Sequence, residues 1–249
     1  MNNHPAIDQA VEFLRNRGVN IPVEVLQSLN IEITPDERKS IILAIKSGKL
    51  HSRYIKQSGE YQGVRDTLWI AIFDSVFDYL QGDITLGRAV DRMTLAMSEA
   101  YIATIDIAYE DGGGSLPVDE DTASWARSEL QAQLGYVDSL FETLKELKKD
   151  GEFDANMEGA NRADRYTSAL DGFYNGVKLQ GAENKMLTWN LGTTETHCKT
   201  CLNLDGQRHR GKWFIARGYI PRKPGSSTDC GGYHCDCSLT DDDGEEFTI

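Results

Sequence analysis

Apolar side chains recur every three or four positions along most of this 249-residue chain, the spacing that lets an α-helix bury one face. The clearest case is LWIAIFDSVFDYL at 68–80, where a stripe of large apolar residues is interrupted by Asp74 and Asp78. The same spacing runs through 122–149 and ends on three lysines, whose charges complement the negative end of a helix dipole. The pattern therefore predicts long amphipathic helices that pack through their apolar stripes.

Cap and turn residues divide the chain further. The predicted helices are short ones within 5–56, followed by 61–80, 85–109, 122–149 and 159–181. Three glycines, a proline and five acids in EDGGGSLPVDED predict a linker without regular structure at 110–121. Strand signals come late, as alternation in MLTWNLG at 186–192 and a weaker signal in KWFIARGYI at 212–220.

The cysteines mark a local site, because all five lie in the last 52 residues. Cys198 and Cys201 form a C-x2-C pair, and Cys235 and Cys237 form a C-x-C pair. A zinc ion takes four soft or borderline ligands, usually two from each of two separated knuckles. These four thiols are therefore the predicted ligands of a structural Zn²⁺ ion.

Other ligand sets and other chemistries remain open at this stage. Cys230 or His234 can replace one member of the C-x-C pair, since five cysteines exceed four positions. Disulfides are the main alternative, but the N-terminus lacks the basic and apolar regions of a secretory signal, so we expect a reducing compartment. A redox C-x2-C is disfavoured because no βαβ pattern surrounds Cys198.

Asp205 and Gly206, just after the first pair, predict a tight turn at 204–207 with Gly206 at positive φ.

Composition and charge restrict the function. No uncharged apolar run is long enough to cross a bilayer, so we expect no membrane association. The net charge of −13 opposes wholesale nucleic-acid binding. One strip between the cysteine pairs differs, because 207–223 contains six basic residues and no acid; these are Arg208, Arg210, Lys212, Arg217, Arg222 and Lys223. The same segment can instead be a solvated face of a small zinc module.

Enzymatic function is not expected. The chain contains no H-E-x-x-H, no G-x-S-x-G and no G-x4-G-K-[ST] motif. The H-x-E element of zinc deaminases is also missing from the sequence. Thiolate-rich zinc sites are usually closed, which favours a structural ion over a catalytic one.

The C-terminal third resembles the end of phage head-morphogenesis proteins, the Mu F-like minor head proteins. The resemblance covers roughly 159–240 and rests on WNLGTTETHCKTCLNLDGQ followed by GGYHCDCSL. The matching positions are Trp189, Cys198, Cys201, Leu204, Asp205, Gly206, Cys235 and Cys237. Many members carry a histidine three residues before the final C-x-C, where this chain has Gly232. Cys230 is a candidate substitute.

This resemblance implies a minor virion component, assembled in the host cytoplasm, that acts in head assembly at or near the portal. Its partners would be portal, major capsid or scaffold proteins. The alternative is a nucleic-acid-binding zinc module that contacts packaged DNA through the basic strip.

The predicted fold is mainly α, with a helical body followed by a small α/β zinc-binding C-terminal module. Its regions are 1–110 (N-terminal helical), 119–185 (long helix), 186–240 (zinc knuckle) and 241–249 (acidic tail).

Overall fold

A computed structural model describes residues 59–248, with the exception of residues 152, 195 and 234. The short helices predicted within 5–56 lie outside the described residues. In the described part the protein is mainly helical, as predicted, and it ends in a small sheet with two short helices.

Four long helices make up the body. They are α1 (Gly59–Gln81), α2 (Leu86–Gly112), α3 (Glu120–Asp150) and α4 (Ala155–Gly181). Side-chain caps start three of them, because Thr85, Asp119 and Asp154 each accept a hydrogen bond from a backbone N–H of the following first turn. The three helices start at 86, 120 and 155, against predicted starts of 85, 122 and 159.

The body has one continuous hydrophobic core drawn from all four helices. The apolar stripe of 68–80 is part of it, and Leu68, Ile72 and Val76 are almost fully buried. α2 packs against α1, α3 and α4. Rings also join helices that are distant in sequence, since Tyr61 of α1 contacts Tyr174 of α4 with 4.2 Å between ring centroids. The boundary predicted between 1–110 and 119–185 thus does not separate two cores within the described residues.

The linker predicted at 110–121 is confirmed only in its middle, because residues 113–119 lack helix and strand but both ends are helical. Residues 110–112 continue α2, and Gly113 ends the helix in a left-handed conformation with φ of 93°. Gly112 is buried against α4, and a Cβ at this position would overlap the Lys178 carbonyl. Asp119 then caps α3, which leaves only a short connection of 113–118. The glycines and acids serve as helix caps and close-packing positions, which composition alone cannot distinguish from a flexible linker.

A three-stranded antiparallel sheet follows the helices. Its strands are β1 (Met186–Asn190), β2 (Arg208–Arg210) and β3 (Ser238–Thr240), in the order β2-β1-β3. Two short helices, α5 (Lys199–Leu204) and α6 (Gly211–Arg217), lie in its connections. The strand predicted in 212–220 was wrong, because most of that segment is α6. The helix buries Phe214 and ends at a left-handed Gly218.

The sheet and the short helices surround a second hydrophobic core. This core contains Leu187 and Trp189 of β1, Phe214 of α6, and two of the cysteines, Cys201 and Cys237. The residues from 186 to 248 that build this core with the end of α4 are called the C-terminal module below.

The predicted acidic tail folds back onto the module. The Phe247 amide donates to the Leu239 carbonyl at 2.7 Å, and the Leu239 amide donates to Thr248 Oγ1 at 2.9 Å. Phe247 is buried in the second core, and Lys178 Nζ lies 4.8 Å from the centre of its ring. The acids of 241–246 therefore form an exposed turn that returns the chain to the core.

Candidate metal centre

The first cysteine pair is arranged by the short helix α5. Cys198 is the N-cap of α5, and its Sγ accepts a hydrogen bond from the Cys201 amide at 3.4 Å. A C-x2-C pair at the start of a helix thus places both sulfur atoms on the same turn. Cys201 is buried in the second core, whereas Cys198 is half-buried.

A tight turn follows α5, as predicted. The Gln207 amide donates to the Leu204 carbonyl at 2.8 Å, and Gly206 has φ of 71°. Asp205 before it has φ of −52° and ψ of 126°, so the turn is of type II, which favours glycine at its third position. The Gly206 amide also donates to the Trp189 carbonyl at 2.9 Å. The turn therefore fixes the first cysteine pair to β1.

The second group of cysteines lies in the segment that leads into β3. Gly231 and Gly232 both have positive φ, and this turns the chain between Cys230 and Cys235. A Cβ at Gly232 would overlap the Lys223 carbonyl, so only glycine fits this close approach. Cys237, just before β3, is completely buried.

All five sulfur atoms converge in two overlapping groups. Within each group the Sγ atoms lie within 4.8 Å of one another: Cys198, Cys201 and Cys230 form one, and Cys201, Cys235 and Cys237 form the other. Cys201 Sγ lies 3.9 Å from Cys235 Sγ, although 34 residues separate them. All five cysteines are free thiols. The four predicted ligands are therefore brought together, and Cys230 joins them through Cys198 and Cys201.

The thiol pKa values differ around the cluster. Burial raises the pKa of Cys201 and of Cys230, while the thiol of Cys237, more than burial, raises that of Cys235. Burial also opposes ionisation of Cys198, but hydrogen bonds from Cys201 and Cys230 outweigh it and lower the Cys198 pKa. A hydrogen bond from Cys235 lowers the pKa of Cys237. Each group of three thus contains one sulfur that loses its proton more readily than its neighbours.

This arrangement fits a metal ion. Zinc–sulfur bonds of about 2.3 Å in a tetrahedron require sulfur atoms about 3.8 Å apart, close to the observed separation of Cys201 and Cys235. Thiolates are the ligands that soft and borderline metals prefer. The cysteine cluster is therefore positioned to bind a metal ion.

Polar residues beside the cysteines hold the two halves of the cluster together. Thr200 and Asp229 exchange hydrogen bonds, because the Thr200 amide donates to Asp229 Oδ2 at 2.9 Å and the Asp229 amide donates to Thr200 Oγ1 at 3.3 Å. Asp236 accepts from the Thr193 hydroxyl at 2.8 Å. Sequence reasoning missed these residues. Thr200, Asp229 and Asp236 each lie next to a cysteine, and this position is the signal that could have indicated them.

The histidines differ in position. His197 Nδ1 lies 3.3 Å from Thr194 Oγ1, and among the described residues it belongs to neither sulfur group. His209 stacks on Trp213 with 3.7 Å between ring centroids. His234, an alternative ligand, lies outside the described residues.

The basic strip does not form one cationic surface. Lys223 Nζ pairs with Glu129 at 3.1 Å, and Arg222 lies 3.3 Å from Glu246 and 3.8 Å from Asp236. Arg208 pairs with Asp242 of the C-terminal turn. Arg210, Lys212 and Arg217 are exposed, and none of them has an acidic partner among the described residues.

No protein-family model, curated protein or solved structure matches this chain. Among the described helices, none is long and apolar enough to span a membrane.

Proposed function

We propose that the cysteine cluster holds one structural zinc ion and that the chain is a non-enzymatic minor head protein of a phage. The observation that carries the metal assignment is the convergence of five thiols in two groups that share Cys201. The assembly role is supported by the resemblance of the cysteine motifs to the Mu F-like minor head proteins.

Zinc suits the construction of the C-terminal module. Its sheet has strands of only three to five residues, and its two helices have six and seven residues. Elements this short supply little stability by themselves, whereas a structural zinc site contributes on the order of 10–16 kcal/mol of apparent binding free energy. The metal would hold α5 against the turn that contains Gly231 and Gly232.

The proposed role is in head assembly at or near the portal, and the partners would be portal, major capsid or scaffold proteins. Co-expression of the tagged chain with each head protein, followed by affinity purification, tests this role. We expect the chain to co-purify with portal or with immature heads, and a Cys198→Ser/Cys201→Ser variant to lose that association if the module forms the contact. A folded, monodisperse chain that retains no head protein would contradict the assembly role and leave the metal assignment intact.

Contact with packaged DNA is the second candidate function. It is supported by Arg210, Lys212 and Arg217, which remain exposed after the other three basic residues are paired. Trp213 is covered by His209 on one ring face and by Arg217 on the other, with the Arg217 guanidinium carbon 4.1 Å from its ring centre. The ring is therefore not available for stacking with a base, and contact would be limited to phosphates.

The salt dependence of DNA binding tests this candidate. Three phosphate contacts predict a log–log slope of about −3 on duplex DNA, whereas six would give about −5. An Arg210→Ala/Lys212→Ala/Arg217→Ala variant should abolish binding. Lys145→Ala/Lys149→Ala, on exposed lysines of α3, serves as the matched control. Absence of binding at low salt would exclude the candidate.

A further inference from the structure

We propose that the outward face of α2 is a docking surface for a basic amphipathic helix of another protein. This inference is independent of the metal centre and of the proposed role in head assembly. The face is called the α2 outer stripe and consists of seven exposed residues at spacings of three or four: Arg88, Asp91, Leu95, Glu99, Ile102, Asp106 and Glu110.

The stripe lies on the side of α2 that the other long helices of the described residues leave open. The opposite side of α2 buries Met93, Met97 and Tyr101 in the core, and α2 packs against all three other long helices of the body. Eight of the 27 residues of α2 are buried, and the stripe lies on the face opposite to them.

Two large apolar side chains lie in the middle of the stripe. Leu95 is 60% exposed and Ile102 is 61% exposed. They are one heptad apart, about 10 Å along the helix axis at the α-helical rise. That separation matches the repeat with which an amphipathic helix presents its own apolar residues to a partner helix.

The charges on the stripe define the partner. The stripe carries four carboxylates and one guanidinium, that of Arg88 in the first turn of α2. The chain has no lysine or arginine from 93 to 126. Within the described part of the chain, no cation lies within ion-pair distance of Asp91, Glu99 or Asp106. A partner with lysine or arginine beside its apolar residues would complement this surface.

Two acids of the stripe also destabilise α2 by repelling each other. Asp106 and Glu110 are like charges four residues apart on the helix surface, and such pairs repel each other. A basic helix against the stripe would relieve this repulsion. Self-repulsion and exposed apolar area thus favour the same occupant.

The test uses the full chain and a synthetic peptide. The peptide has leucine at its heptad a and d positions and lysine at e and g, and it carries a fluorescent label for anisotropy. A second peptide with glutamate in place of each lysine reports binding that does not need positive charge. We expect the lysine peptide to bind in a salt-dependent way and the glutamate peptide not to bind. Failure of the lysine peptide to bind would overturn the proposal.

Variants separate docking on the stripe from general attraction to an acidic protein. Leu95→Ser/Ile102→Ser leaves the charge unchanged and should weaken peptide binding about ten-fold. Tyr136→Ser/Met157→Ser removes side chains of similar exposure, 61% and 53%, from other helices and should change the affinity less than about two-fold. Circular dichroism confirms that both variants are folded. Equal effects of the two pairs, or no effect of the first, would contradict the proposal.

A second copy of this chain is the competing occupant. Sedimentation velocity of the wild type should show a monomer at the concentrations used for peptide binding. A dimer that Leu95→Ser/Ile102→Ser dissociates would assign the stripe to self-association and overturn the proposed partner.

Discussion

Lys223 Nζ lies 3.1 Å from Glu129 Oε2. This ion pair joins the segment between Cys201 and Cys230 to α3 of the helical body. Both side chains are largely buried, with exposures of 11% and 26%. Nearby, Asn175 Nδ2 donates to the Pro221 carbonyl at 3.3 Å, and Gly172 leaves room for the Lys223 backbone. The loop that holds one end of the cysteine cluster is thus supported by α3 and α4.

Loss of the Lys223 charge should destabilise the protein, because it leaves the Glu129 carboxylate largely buried without its partner. We expect Lys223→Met to lower the free energy of unfolding by about 1–3 kcal/mol in urea titrations, somewhat less than for a fully buried pair. Lys145→Met, which removes an exposed pair with Glu142, should change it by less than about 0.5 kcal/mol. Similar effects of the two substitutions would show that the Lys223 pair is not a structural link.

Disruption of the cysteine cluster should unfold the C-terminal module and spare the body. The body has its own core built from helices of 23 to 31 residues, so far-UV circular dichroism of Cys201→Ala should retain most of its helical signal. Limited proteolysis should cut first within 207–223. Loss of the helical signal together with the module would show that the two cores fold as one unit.

Phe247 should contribute strongly to the stability of the module. Because its ring is buried against the second core, Phe247→Ala should lower the free energy of unfolding by about 3 kcal/mol. Leu202→Ala, at a side chain that is 55% exposed on α5, is the control and should have little effect. An unchanged melting temperature for Phe247→Ala would contradict the docking of 241–248 on the sheet.

Replacement of Gly206 tests the turn that follows the first cysteine pair. A Cβ at Gly206 would meet no atom within 4 Å, so the effect of Gly206→Val comes from its positive φ. We expect a loss of about 1–3 kcal/mol and weaker metal retention against a chelator. Gly135→Val, at an equally open site inside α3, is the control. Unchanged stability and metal retention in Gly206→Val would indicate that the turn does not need glycine.

The long helices could be predicted well because their signals are local. The predicted segments 61–80, 85–109, 122–149 and 159–181 agree with α1 to α4 within four residues at each end. Apolar stripes and the cap residue Thr85 define these elements within a few residues of sequence, whereas Asp119, which caps α3, was placed in the predicted linker. The convergence of the cysteines could also be predicted, because their clustering in sequence is itself informative.

The features that sequence reasoning missed depend on contacts between distant residues. Arg208 lies 34 residues from Asp242, and Lys223 lies 94 residues from Glu129 (223 − 129), so a basic run could not reveal that its members were paired. In the same way, the buried position of Gly112 depends on α4, and that of Phe247 depends on β3. Composition described these segments as a linker and a tail because it contains no information about what packs on them.

Metal analysis of the purified full chain, by inductively coupled plasma mass spectrometry together with native mass spectrometry, tests the central claim most directly. Wild-type protein should contain about one zinc ion per chain, since a tetrahedral site takes four of the five clustered thiols. The Cys198→Ser/Cys201→Ser variant should contain none, because it removes Cys201 from both sulfur groups. Metal-free wild-type protein, or intramolecular disulfides among these cysteines under non-reducing conditions, would contradict the account.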